Sequence, residues 1–122
     1  MSEVTHPELV RALVKQGELI AKEMTGSDAH LIHMAIGISG EAGELLDAAK
    51  KAVIYRKTLD IKNVVEELGD LEFYIEGLRQ GLGITREECL KANIEKLQVR
   101  YAGMKYSDES ARTRVDKMGE KG

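Results

Sequence analysis

Apolar residues recur every three or four positions along most of the chain, the period of an α-helix with one buried face. The first such stretch predicts a helix from about residue 6 to 24, because Thr5 and Glu8 have the spacing of a capping box. A long second helix is predicted over about residues 29 to 54, after a break in which Asp28 can serve as the N-cap. The first half of the chain is therefore predicted to form two helices.

The second half continues the helical pattern. A third helix is predicted to begin after Asp60, another suitable N-cap, and to stop at the glycines 81 and 83. Thr85 and Glu88 repeat the capping box and open a fourth helix that ends near residue 101. We therefore expect a helical domain over residues 1–101 and a polar tail over residues 102–122 that orders on a partner or ligand, if at all.

The predicted fold is all-α, with a four-helix-bundle-like protomer. Only one proline interrupts 122 residues, and aromatic residues make up 4% of the chain. A short connector predicts that the long second and third helices form an antiparallel hairpin. So small a chain would leave much apolar helix surface uncovered, and we expect a homodimer or homotetramer to bury it.

Composition narrows the classes of partner. The chain has 18 Lys and Arg against 21 Asp and Glu, a net charge of -3, so it lacks the overall basic charge expected of a protein that binds a nucleic acid polymer. No apolar run approaches the roughly 18 residues of a membrane span, and membrane association is not expected. A single cysteine, Cys89, cannot form an intrachain disulfide, which favours the cytoplasm.

Two acidic motifs are the candidate chemical site. Glu41 with Glu44 on the second helix, and Glu67 with Asp70 on the third, each place two carboxylates three residues apart on one helix face. The midpoint between the two motifs lies at residues 55 to 56, at the start of the connector, so the hairpin would bring all four to the same level. Oxygen ligands alone suit Mg²⁺ or Mn²⁺. A solvated acidic face is the alternative for either motif alone.

Basic and polar residues flank the predicted metal cluster. Lys51 follows the face of Glu44 along the second helix, and Asn93, Lys96 and Arg100 form a polar stripe on the fourth. A polyphosphate needs both features, because metal ions take some of its oxygens and Lys or Arg side chains take others. An ordinary solvated helix face is again the alternative for this stripe.

These motifs together resemble the all-α nucleoside triphosphate pyrophosphohydrolases of the MazG-like type, particularly the short single-domain members of bacteria and their phages. The resemblance rests on Gly40-Glu41-Ala42-Gly43-Glu44-Leu45-Leu46-Asp47-Ala48, on Glu66-Glu67-Leu68-Gly69-Asp70-Leu71, and on Ala92-Asn93-Ile94-Glu95-Lys96-Leu97 with Arg100-Tyr101. It covers about residues 33 to 114.

The resemblance implies an enzyme with a Mg²⁺ cofactor that Mn²⁺ can replace. It implies that a nucleoside triphosphate is hydrolysed to the monophosphate and pyrophosphate in the cytoplasm, or in the host cytoplasm if a phage encodes the chain. Glu41, Glu44, Glu67 and Asp70 would hold the metal, and Lys51, Asn93, Lys96 and Arg100 would bind the triphosphate. Glu41 or Glu44 is the expected proton acceptor, and the residues do not choose between them.

Two alternatives stay open at this stage. A non-catalytic nucleotide-binding or helical interaction protein could retain the same fold, and a triphosphate shifted by one phosphate along the same metals would give the diphosphate instead. A di-iron bundle normally carries Glu-x-x-His on two of its helices, and neither acidic motif here includes such a histidine.

Overall fold

A computed structural model describes residues 3–117 of the chain, and these residues form helices and no strands. The all-α prediction is confirmed. The predicted tail extends to residue 122, so its last five residues lie outside the described part. The helices are α1 (His6–Leu13), α2 (Gly17–Glu23), α3 (Gly26–Val53), α4 (Ile61–Leu82), α5 (Arg86–Arg100) and α6 (Asp108–Thr113), followed by a 3-10 turn at Val115–Lys117.

Side-chain caps begin most of the helices. The amide of Glu8 donates to the Thr5 hydroxyl at 3.3 Å while the amide of Thr5 donates to the Glu8 carboxylate at 3.1 Å, which completes the predicted capping box of α1. The Asp60 carboxylate accepts from the Asn63 amide at 3.1 Å and starts α4. Gly83 ends α4 with a φ of 68°, a left-handed conformation that favours glycine.

The prediction of a single first helix over residues 6 to 24 is wrong, because the chain breaks between Leu13 and Gly17. Val14 has the extended angles φ -69° and ψ 131°, and Gln16 is also extended and caps α2 without a side-chain hydrogen bond. A β-branched valine and a glycine both disfavour helix, and apolar periodicity alone does not register that cost. An ion pair of 2.6 Å joins Lys15, in the break, to Glu23 at the end of α2.

The second predicted helix, α3, begins three residues earlier than expected. Thr25 rather than Asp28 is its N-cap: the Thr25 hydroxyl accepts from the Asp28 amide at 3.1 Å, and the Asp28 carboxylate accepts from the Thr25 amide at 3.0 Å. Asp28 is thus the third residue of a capping box. A Thr-x-x-Asp motif satisfies two amides, whereas Asp28 alone at the N-cap would satisfy one.

The most extensive helix packing in the described residues is between α3 and α4. As residue numbers rise along α3, those of the contacting residues on α4 fall. Three of these contacts are centred between residues 55 and 56, the same midpoint as the acidic motifs: His30 with Gly81, Met34 with Gly77, and Gly37 with Tyr74. We call this unit the α3–α4 pair.

Glycines allow this close approach. A Cβ added at Gly77 would lie 2.5 Å from the sulfur of Met34, and one added at Gly37 would overlap the ring of Tyr74. His30 Nε2 donates to the Gly77 carbonyl at 2.8 Å. Met34, 6% exposed, is the one buried hydrophobic side chain of the described residues, so the core lies between these two helices.

The chain after α5 turns back onto that helix. Gly103 and Met104 have positive φ angles of 86° and 61°, and α6 and the 3-10 turn both contact α5. The rings of Tyr101 and Tyr106 lie 5.8 Å apart beside an apolar cavity of about 340 Å³. Residues 102–117 therefore contain local structure attached to α5.

No helix of the described residues is both long enough and apolar enough to span a bilayer.

Candidate metal and phosphate site

The α3–α4 pair brings three of the four predicted carboxylates together. One oxygen from each of Glu41, Glu67 and Asp70 lies within 4.8 Å of the other two. Glu41 comes from α3, and Glu67 and Asp70 lie three residues apart on α4, so they share a face of that helix. The register of the two helices, rather than either motif alone, creates the cluster.

Glu67 is the carboxyl most affected by this crowding. Its pKa is raised from 4.5 to about 7, first by a proton shared with Glu41, then by burial, and then by the charges of Glu41, Glu44 and Asp70. Its Oε2 atom is shielded from solvent and has no hydrogen-bond partner among the described residues. A buried oxygen without a partner is costly, and a bound cation would satisfy it.

Glu44, the fourth predicted ligand, is exposed and lies at the edge of this cluster. Its charge acts on Glu67, but its oxygens are not part of the group that lies within 4.8 Å. Glu44 and Glu67 both line a cavity of about 350 Å³ that reaches the connector between α3 and α4. We call this space the connector cavity. The donor set is oxygen only, which fits Mg²⁺ or Mn²⁺ better than a soft metal.

Lys51 lies in the connector cavity, as its position on the Glu44 face predicts. Its ammonium forms an ion pair of 2.9 Å with Asp47, one turn earlier on α3. Asp47 raises the pKa of Lys51, and Lys51 lowers the pKa of Asp47. Both side chains are about half exposed, so the pair is weak and can exchange with another anion.

The polar stripe of α5 is not adjacent to these carboxylates within one protomer. In the described residues α5 contacts α6 and the 3-10 turn and makes no extensive contact with α3 or α4. Asn93 is exposed and Lys96 half-buried, and neither has a described side-chain hydrogen bond. The structure therefore does not bring Asn93, Lys96 and Arg100 together with the acidic cluster.

Arg100 already has an anionic partner in the chain. Its Nε donates to Asp116 Oδ1 at 2.8 Å, and its Nη2 donates to Oδ2 at 3.2 Å. The two side chains are 15% and 6% exposed, and Arg100 lowers the pKa of Asp116. Such a two-pronged contact is how a guanidinium binds a carboxylate or a phosphate. Asp116 thus takes the place that a phosphate would need on Arg100.

Sequence reasoning missed three polar residues of the connector cavity: Asp47, Thr58 and Asn63. The spacing of Asp47 and Lys51, four residues apart on a helix, could have indicated their ion pair. Lys57 is recognisable in the sequence as a basic residue beside the acidic motifs, but it lies in an irregular connector, where no periodicity indicates which way its side chain points.

Comparisons with known proteins add no relatives. No protein-family model matches the chain, and neither does any curated protein or solved structure.

Proposed function

We propose that this chain is a Mg²⁺-dependent nucleoside triphosphate pyrophosphohydrolase, as its resemblance to the MazG-like type implies. The observation that carries the proposal is the convergence of Glu41, Glu67 and Asp70 from two helices to within 4.8 Å. Three carboxylates this close repel one another when all are charged, and the pKa of Glu67 is raised by its hydrogen bond to Glu41, by burial and by the neighbouring charges. A divalent cation would neutralise them, and Mn²⁺ should replace Mg²⁺.

The donor set supports a metal role for all four acids, with Glu44 completing the site from the cavity side. Bound Mg²⁺ supplies positive charge that neutralises phosphate oxygens and lowers the pKa of an attacking water. The water oxygen bonds to the α-phosphorus, the bond from that phosphorus to the α–β bridging oxygen breaks, and pyrophosphate leaves. Glu41 or Glu44, adjacent to the reacting phosphate, accepts the water proton.

A second copy of the chain completes the protein in this proposal. The chain exposes 10249 Å², whereas a compact monomer of 13.5 kDa would expose about 6,500 Å². The difference, roughly 3,700 Å² per chain, exceeds the share that one protomer buries in an obligate dimer, about 1,000 to 2,500 Å².

The exposed apolar surface lies where a bundle would form. Ile61, Leu68 and Leu82 of α4 are 62%, 45% and 54% exposed, and they follow the seven-residue repeat of a helix-packing stripe. Leu46 and Val53 of α3 are 69% and 62% exposed. Two α3–α4 pairs packed along these stripes would form a four-helix bundle, as a homodimer or within a homotetramer.

The same assembly would give the α5 stripe a role. Because α5 makes no extensive contact with the acidic cluster of its own chain, Asn93, Lys96 and Arg100 can reach a triphosphate only if α5 lies against the cluster of a second copy. Arg100 must also exchange Asp116 for phosphate. We place the protein in the cytoplasm, where nucleoside triphosphates and Mg²⁺ are available.

The test is a panel of ribo- and deoxynucleoside triphosphates incubated with the protein and Mg²⁺ or Mn²⁺, with the products resolved as mono- or diphosphates. We expect metal-dependent release of monophosphate and pyrophosphate, which Glu67→Gln and Glu44→Ala should each reduce at least 100-fold. Glu72→Gln removes an exposed carboxylate of the same helix and should retain activity.

Other outcomes identify the alternatives. Nucleotide binding without turnover would overturn the enzyme proposal and favour a nucleotide-sensing or interaction protein. Release of diphosphate and phosphate would place the cleavage between the β- and γ-phosphates. If Glu72→Gln lost as much activity as Glu67→Gln, the activity would depend on the net negative charge of the protein and not on the clustered carboxylates.

A further inference from the structure

We propose that the connector cavity is a polyphosphate subsite in which Lys57 binds the phosphates farthest from the metal cluster. The inference builds on the proposed function, because it assigns a triphosphate contact that the sequence motifs do not supply. It rests on the shape of the cavity, on its balance of charges and on the way in which the connector is held.

The cavity extends from the metal cluster to the basic connector. Glu44 and Glu67 line one end, and Lys51, Lys57 and Thr58 line the other. The seven residues from Glu44 to Lys51 span about 10 Å along α3. A ligand held by cations at the cluster can therefore reach the lysines only if it is a chain of phosphates rather than a single one.

The charges inside the cavity leave one cation available. Asp47 pairs with Lys51 at 2.9 Å, and the Asp60 carboxylate is engaged as the N-cap of α4. Glu44 and Glu67 belong to the cation site. Lys57 lines the cavity, and its ammonium has no ion pair or hydrogen bond among the described residues. Lys57 is thus the charge that a phosphate can take without breaking an existing contact.

The backbone holds Lys57 against the end of α3. Its amide donates to the Lys51 carbonyl at 3.2 Å, and the preceding residue, Arg56, has a φ of 56° that turns the chain back. The amide of Tyr55 also donates to the Lys50 carbonyl, at 3.4 Å. A fixed backbone reduces the entropy that Lys57 loses when it binds an anion.

The start of α4 adds further donors to the same wall. Asp60 and Asn63, on the first turn of α4, line the cavity, and the N-terminus of a helix carries partial positive charge. Thr58, whose side chain carries a hydroxyl, lines the cavity as well, and the side chain of Asn63 carries an amide. The cavity therefore offers a full cation and neutral donors, the mixture that phosphate oxygens require.

Lys57 also differs from the cation that the α5 stripe would supply. Arg100 is held by Asp116 and lies on a helix that makes no extensive contact with the α3–α4 pair. Lys57 belongs to the connector of the pair itself. Each protomer thus carries its own phosphate contact beside its own acidic cluster.

Binding of inorganic triphosphate to the full chain, measured by calorimetry with and without Mg²⁺, tests this subsite independently of catalysis. We expect Mg²⁺-dependent binding that Lys57→Met weakens about tenfold or more, the usual effect of losing one charged hydrogen bond. Lys57→Arg should stay within about threefold of the unchanged chain, because it keeps the charge.

Lys62→Met is the matched control, since it removes an exposed charge near the connector that does not line the cavity. The inference is overturned if the unchanged chain does not bind triphosphate, if Lys57→Met binds within threefold of it, or if Lys62→Met loses as much as Lys57→Met. Turnover of a nucleotide with an unchanged KM in Lys57→Met also rejects the subsite while leaving the proposed function standing. Lys57-dependent triphosphate binding without turnover supports the subsite and rejects the enzyme.

Discussion

A single added methyl group at Gly37 tests the register in which α3 packs against α4. The Cβ of an alanine there would overlap the ring of Tyr74, an overlap that no small adjustment of a flexible side-chain end can remove. The Tyr74 ring is also packed edge-to-face against Phe73 at 5.2 Å and His33 at 6.2 Å. Relief of the overlap therefore requires the ring or the two helices to move.

The expected size follows from two opposing effects. Alanine gains about 1 kcal/mol over glycine inside a helix, and overpacking in a close-packed interface costs roughly 1 to 3 kcal/mol. Because the overlap is with a packed aromatic ring, we expect the upper part of that range. Gly37→Ala should then lower the free energy of unfolding by roughly 1 to 2 kcal/mol.

Gly40→Ala is the matched control on the same helix. Nothing lies within 4 Å of a Cβ built at Gly40, so only the gain in helix propensity of about 1 kcal/mol applies. The two variants should therefore change stability in opposite directions. Urea unfolding followed by circular dichroism, at one fixed protein concentration, measures the difference, since association would make stability depend on concentration.

A double-mutant cycle separates packing from every other effect of the methyl group. In a Tyr74→Ala background the ring is gone, so Gly37→Ala should stabilise the chain as Gly40→Ala does. If Gly37→Ala is as stable as Gly40→Ala in the unchanged background, or if its cost persists without the ring, α3 and α4 do not pack in this register.

Four further predictions concern the cluster, the tail and the uncovered surface. Mg²⁺ must displace the proton on Glu67, whose pKa is about 7. The affinity for Mg²⁺ should therefore fall by about tenfold per pH unit below 7, and in Glu67→Gln the affinity should depend less on pH. The metal-free chain should instead lose stability as pH rises from 4.5 to about 7, because in this range only the folded state keeps Glu67 protonated. Thermal unfolding measures this, and unchanged stability across the same range would contradict the raised pKa of Glu67. Asp116→Asn weakens the contact with Arg100 and should speed tryptic cleavage after Lys105, which mass spectrometry can time. Leu46→Glu places a charge on the exposed stripe and should shift the light-scattering mass towards a monomer; a monomer before the substitution would refute the dimer.

Capping and stop signals in the sequence predict most of the helix boundaries, and the boundaries that were predicted wrongly also depend on residues within one turn. The Thr5 capping box, the Asp60 N-cap and the Gly83 stop all depend on residues within one turn. The break after Leu13 was missed because apolar spacing continues through it even though Val14 is extended. In each case the deciding contact is a hydrogen bond or a backbone preference, which hydrophobic periodicity does not contain.

Some residues of the candidate site could be predicted from local spacing, and others could not. The spacing could predict that Glu41 lies near Glu67 and Asp70, because two helices with the same rise per residue bring residues equidistant from a common midpoint to one level. Nothing comparable fixes α5, whose position depends on contacts with other elements, so its stripe could be recognised but not placed. Lys57 could be recognised as a basic residue of the connector but not placed, because a left-handed residue, Arg56, determines where it lies.

Apart from Gly26 at the start of α3, the glycines of the α3–α4 pair fall into two groups that explain why the sequence keeps them. Gly37, Gly77 and Gly81 each contact a side chain of the facing helix, so packing offsets their cost. Gly40, Gly43 and Gly69 have nothing within 4 Å of a built Cβ, and each immediately precedes an acidic residue of the site: Glu41, Glu44 and Asp70. Each of these glycines costs about 1 kcal/mol of helix stability relative to alanine. No contact within the described residues offsets that cost. Because the absent side chains leave the backbone beside the carboxylates uncovered, the open glycines are best explained by the close approach of a ligand or of a second copy at the site.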